Sequence, residues 1–212
     1  MHKGQVRFIV LASALFVVIS AVYAGGWAVI TLNDLPDYAV AGKKLSLTFT
    51  VRQHGKNLLN GLQPGVSART AKGAEAKATA VRAGKTGEYT AILVLPDPGD
   101  WTITITSGFN GSALTLPVLK VVPSGSASPV PIPQTTRGAR LFTTKGCVGC
   151  HLHEEINPER TSYARFDLTG KRFAPNHLKK FLADPSIKPV EMPNLNLDED
   201  EIAALAAFIN GD

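Results

Sequence analysis

Leu45-Ser46-Leu47-Thr48-Phe49-Thr50-Val51 sets an apolar residue at every odd position and a small hydroxyl residue at every even one. Successive side chains of a strand point to opposite faces, so this stretch reads as a strand with one face buried and one wet. Trp101-Thr102-Ile103-Thr104-Ile105-Thr106 repeats the pattern, and 89–95 and 114–122 are longer apolar runs. Turn residues separate these segments: Gly61, Pro64-Gly65, Gly84, Gly87, Pro96-Asp97-Pro98-Gly99 and the stretch 108–111. About seven strands at this spacing predict an all-β, immunoglobulin-like sandwich over residues 27–122. Its one histidine, His54, has no Met or Cys near it in sequence, and a copper site needs several such ligands.

Outward from this segment the composition changes twice. Residues 123–136 hold four prolines among small residues and read as an extended, semi-rigid linker. Before residue 137 there are 12 basic and 6 acidic residues; from 137 to 212 there are 10 and 11. Both cysteines and three of the five histidines lie in that last part. At the other end, Lys3 and Arg7 precede the uncharged, apolar run 8–24, so residues 1–26 read as a signal peptide or a membrane anchor. Val22-Tyr23-Ala24 offers a cleavage site; retention is the expectation adopted, with the N-terminus cytoplasmic and the rest on the periplasmic side of the membrane. The whole chain, 212 residues with 44% hydrophobic and 18% charged, is too apolar to be disordered. A mean hydropathy of +0.06 excludes a multi-span membrane protein. The net charge of +5 implies mild attraction to acidic surfaces and no nucleic-acid partner.

Cys147-Val148-Gly149-Cys150-His151 is a C-x-x-C-H sequence. Two thiols at this spacing add to the vinyl groups of a haem, and the adjacent imidazole faces the iron. The expected cofactor is one covalently attached haem c with its iron. A thioredoxin-type dithiol needs a βαβ context, and a zinc site needs further ligands; the sequence offers neither. Attachment of haem outside the cytoplasm agrees with an export segment.

The surrounding residues predict helices. Pro175 suits a first helical position, Leu178, Phe181 and Leu182 share a face, and Pro185 ends the segment. Asp198 and Glu201 form a capping-box pattern ahead of Ile202, Leu205, Ala206 and Ile209 at helical spacing. Met192 is the sole methionine besides Met1, so a thioether ligand on the second axial side of the iron comes from there. His153 sits too near His151 to reach that side, and His177 is the remaining rival. Phe142, Leu168, Phe173, Leu178, Phe181 and Leu195 are the candidate walls of a dry pocket.

Two family resemblances follow. Trp27-Ala-Val-Ile30, Leu35-Pro36, 51–55 and Pro98-Gly-Asp-Trp101 resemble the YtkA-like domain family. Gly138-Ala-Arg-Leu-Phe142, Gly146 with the C-x-x-C-H motif, Asp167-Leu-Thr-Gly170, Met192-Pro193 and the stretch 198–209 resemble class I c-type cytochromes over 137–212. The resemblance implies an all-α cytochrome c domain, axial ligands His151 and Met192, thioether links at Cys147 and Cys150, Arg172 near a propionate, and close contact of Gly138 with Phe208. The family usually has Gly-Pro before Asp-Leu-Thr-Gly, with the proline carbonyl on the proximal histidine; this chain has Arg165-Phe166, and a carbonyl near Asn157-Pro158 is the expected substitute. The fold expectation is therefore multidomain: a membrane segment, an all-β sandwich and an all-α domain. The expected function is one-electron transfer by a membrane-tethered monohaem cytochrome in a respiratory or photosynthetic chain, with a redox donor and acceptor as partners and no catalytic residues. The alternatives are a haem-bearing subunit of a membrane oxidoreductase with the sandwich as docking module, and a ligand-binding haem sensor or enzyme.

Overall fold

The structure is a computed structural model that describes residues 26–126, 131–157, 166–188 and 191–211. The alternating segments form two facing sheets. One runs β1 (Ala28–Leu32), β3 (Lys44–Gln53), β8 (Glu88–Val94) and β7 (Val81–Arg82), with β4 (Asn57–Leu58) on β3. The other runs β2 (Tyr38–Val40), β11 (Leu119–Val122), β9 (Gly99–Thr106), β5 (Gly65–Arg69) and β6 (Glu75–Thr79), with β10 (Ala113–Thr115) on β9. Within these sheets every ladder is antiparallel except β11 with β2.

The period of two becomes burial. Leu45, Leu47, Phe49 and Val51 of β3 enter the core, where they meet Trp101, Ile103 and Ile105 of β9. Phe49 stands opposite Tyr89 in the β3–β8 register, and the rings stack at 6.1 Å. In this core the polar atoms of Trp101 and Tyr89 both have partners: Trp101 Nε1 donates to the Asp97 carbonyl at 2.9 Å, and the Tyr89 hydroxyl to the Leu59 carbonyl at 2.9 Å.

Beyond the sandwich come α1 (Gln134–Thr144), α2 (Pro175–Ala183) and α3 (Glu199–Asn210). Helix α1 thus takes up the last residues of the proline-rich stretch. The capping box forms as the sequence requires: Asp198 Oδ1 accepts from the Glu201 N–H at 2.8 Å, and the Asp198 N–H donates to Glu201 Oε2 at 3.2 Å. Helix α3 ends on left-handed Gly211. Helices α1 and α3 cross at Gly138, where an added Cβ would lie 2.1 Å from the Ala204 carbonyl and 2.6 Å from Phe208 Cβ. Around this crossing Phe142, Leu178, Leu182, Leu205 and Phe208 make a second core.

The expected fold class is corrected in two respects. The part after the sandwich is not an all-α domain. Its helices are short, 11, 9 and 12 residues, and the chain leaves helical geometry after Cys150. There β12 (His151–Leu152) pairs in parallel with β13 (Phe166–Asp167), because the backbone groups of 150–152 find partners at 166–168. Most of the regular structure is β. Second, among the described residues no helix is long and apolar enough to cross a membrane. The expected span, 8–24, lies outside the described residues.

The helical part is also seated on the sandwich rather than held off by a spacer. Arg140 donates to the carbonyls of Val118, at 3.0 Å, and Pro36, at 3.2 Å. Lys145, buried, donates to the Asn33 carbonyl at 2.7 Å and pairs with Glu201. Gly146 lies against Ile30: at φ +80° it takes a conformation that side chains resist, and a Cβ would fall 2.6 Å from the Ile30 carbonyl. Val148 packs against both cores.

Gly138→Ala is expected to destabilise the full chain by roughly 1–3 kcal/mol, the usual cost of overpacking, read as a lower midpoint in urea unfolding with an unchanged slope. An unchanged midpoint would show that α1 and α3 separate freely.

Candidate cofactor site

The C-x-x-C-H loop is positioned by two glycines and a strand. Left-handed Gly146 turns the chain out of α1, and residues Cys147–Gly149 form a single 3-10 turn. A Cβ on Gly149 would lie 2.9 Å from Val29 Cγ2, so β1 presses on the back of this turn. The Asn157 side chain then closes the loop. Its Oδ1 accepts from the His153 N–H at 2.8 Å and its Nδ2 donates to the His151 carbonyl at 3.1 Å. The ladder with Phe166 and Asp167 holds His151 and Leu152 from the other side.

On the front of the loop is a cleft of about 200 Å³ between α1, α2, α3 and the segment 191–197. Cys147, His151 and Met192 stand on its walls together. So do all six expected wall residues, Phe142, Leu168, Phe173, Leu178, Phe181 and Leu195. His177 and Lys188 are at its rim, both exposed. Three groups fall elsewhere. The Cys150 thiol is turned toward Gly55 of the sandwich, Arg172 is exposed and off the cleft walls, and His153 is buried in the core against Phe208, ring centroids 4.4 Å apart. The Phe166 backbone lies beside the His151 ring, at the sequence position where the family has its proline; Asn157 contributes its side chain to this histidine rather than its carbonyl.

The electrostatics of the site follow from burial. Both cysteines are thiols. Burial pushes the Cys147 thiol up to about 12, with Cys150 adding to the rise and a backbone N–H and Lys145 opposing it. Burial likewise lowers the His151 imidazole below its ordinary value, and the Phe166 backbone offsets part of that. Burial thus favours the neutral imidazole, the form that donates a lone pair to a metal. Its Nδ1 is buried and has no hydrogen-bond partner among the described residues.

The expectation of a metal-binding protein is corrected in one sense. Among the described residues no three His, Cys, Asp or Glu side chains converge, so no site for a bare metal ion is built from them. The donor set fits a metal that arrives within its own macrocycle. One neutral imidazole and one thioether share an apolar cleft, with a thiol beside them and a buried ring nitrogen unsatisfied.

No protein-family model matches the sequence. No curated protein matches it. Among solved structures, the chain is similar to the Lin-41 filamin domain at 13% identity, over 46% of this chain and 98% of that one, with a TM-score of 0.38. It is similar to the S-layer protein SbsC at 20% identity, over 49% and 14% of the two chains, with a TM-score of 0.36. It is similar to the Escherichia coli adhesin FdeC at 21% identity, over 48% and 32%, with a TM-score of 0.36. The chain thus spans a minor part of the latter two.

In folded protein lacking haem, Cys147 is expected to react with iodoacetamide at pH 8 at least about tenfold more slowly than in urea, because the thiolate is the nucleophile and burial suppresses it. Mass mapping of the alkylated cysteine checks this. Equal rates in both states would place Cys147 outside the cleft.

Proposed function

We propose that this chain carries one covalently attached haem c and passes single electrons between a donor and an acceptor protein on the exported side of a membrane. The observation that supports it best is the convergence of Cys147, His151 and Met192 on one apolar cleft, three groups spread over 46 residues of sequence. Cys147 would hold the haem through a thioether bond, Cys150 would add a second once its thiol turns from Gly55 to the cleft, and His151 and Met192 would ligate the iron. Bound there, the haem supplies a one-electron Fe(III)/Fe(II) couple.

The chain's own residues do the rest. Asn157 and the His151–Leu152 ladder orient the proximal imidazole. Phe142, Leu178, Leu182 and Leu205 exclude water, which favours the less charged state of the centre. Met192 contributes a soft thioether that favours the reduced state.

The test is expression of the full chain with haem maturation. The expected product gains the mass of one haem and keeps it in denaturant, and its oxidised form shows the weak red-edge absorption of a sulfur–iron(III) bond. Met192→Ala is expected to abolish that absorption and lower the potential by at least about 59 mV, a tenfold change in the one-electron equilibrium, while the haem stays attached. A wild-type chain that takes up no covalent haem overturns the reading. An unaltered potential in Met192→Ala removes Met192 from it and turns attention to His177.

A further inference from the structure

Besides β1, the sandwich reaches the cofactor site through the turn of residues 53–56 between β3 and β4. His54 and Gly55 are both left-handed, at φ +52° and +74°, which folds the chain back tightly. The His54 N–H donates to the Trp27 carbonyl at 2.9 Å, fixing the turn to the start of β1. Gly55 is buried against the haem-attachment loop: a Cβ there would stand 3.7 Å from Val29 Cγ2 and 3.9 Å from the Cys150 sulfur. The next residue, Lys56, extends the other way and pairs with Glu191 at 2.7 Å. Glu191 immediately precedes Met192. One four-residue turn therefore touches both segments that carry the proposed cofactor ligands, although Glu191 lies 41 positions after Cys150.

We infer that this turn is a clasp built into the sandwich, and that Lys56 is a positioning residue that holds the Met192 segment at the cleft through Glu191. The inference rests on the haem reading for its functional meaning, but the clasp itself is a property of the protein alone. Met192 lies in a non-helical segment whose local hydrogen bonding includes a small turn, the Asn196 N–H on Asn194 Oδ1 at 2.8 Å. A lateral tie to the rigid sandwich limits how far such a segment can swing. The tie is an exposed ion pair, so its effect is small and salt-sensitive.

The experiment is hydrogen exchange on the full-length protein without haem. Lys56→Glu is expected to speed exchange of the amides in 191–197 by about two- to fivefold, the range of an exposed pair, leaving β3 and β8 unaltered. Lys56→Gln should fall between wild type and Lys56→Glu. Lys56→Glu with Glu191→Lys should restore slow exchange, and 1 M salt should erase the differences. In haem-loaded protein, Lys56→Glu should weaken the sulfur–iron(III) absorption and the double variant should recover it. Unchanged exchange in Lys56→Glu, or no recovery in the double variant, overturns the clasp. If the wild-type chain takes no haem, the haem reading fails, and the exchange data still decide the clasp.

Discussion

The ammonium of Lys145 is the point on which the assembly of the two parts turns. A buried cation is costly unless nearly every one of its donors is matched. Here the matches come from both parts: the Asn33 carbonyl from the sandwich, and the Glu201 carboxylate from the first turn of α3. That carboxylate also closes the capping box on Asp198. Moving α1 off β1 would strip the lysine of its carbonyl, and moving α3 would strip it of its counter-ion. Gly146 follows directly in sequence, so the same constraint brings the C-x-x-C-H loop down on Ile30 and Val29.

Much of this was legible in the sequence, and for identifiable reasons. Strand β3 could be read because a period of two with one wet face has a single structural meaning. Helix α3 could be read because Asp198 and Glu201 announce its start and apolar residues recur at the right interval. The six wall residues could be read because the motif said where a pocket must be. The seating of the helices on the sandwich was not legible. It depends on Arg140, Lys145 and Gly146 meeting backbone carbonyls, and a carbonyl leaves no mark in a sequence. A string of prolines invites the reading of a spacer, yet α1 begins at Gln134, before that string's expected end. Lys56 looked like any surface lysine, since nothing in its neighbourhood pointed to Glu191.

The corrections share a physical origin. An all-α expectation assumes that each segment satisfies its backbone locally, through helical bonds. Residues 150–152 are pulled away from that solution by the tight turn before them, and they satisfy their carbonyls across the chain instead, at 166 and 168. The absence of a converging acid or histidine cluster among the described residues likewise reflects the cleft's character: its walls are mostly aliphatic and aromatic and offer few groups to a bare ion.

The pairing of His151 with Phe166, together with the Asn157 amide on the His151 carbonyl, has a bearing on speed as well as on shape. A ligand held by its main chain from two sides has little room to drift when the charge next to it changes by one. On the proposed reading this is a site of low reorganisation energy, in which the rate of exchange with a partner is set by distance and driving force rather than by the rearrangement of the protein itself.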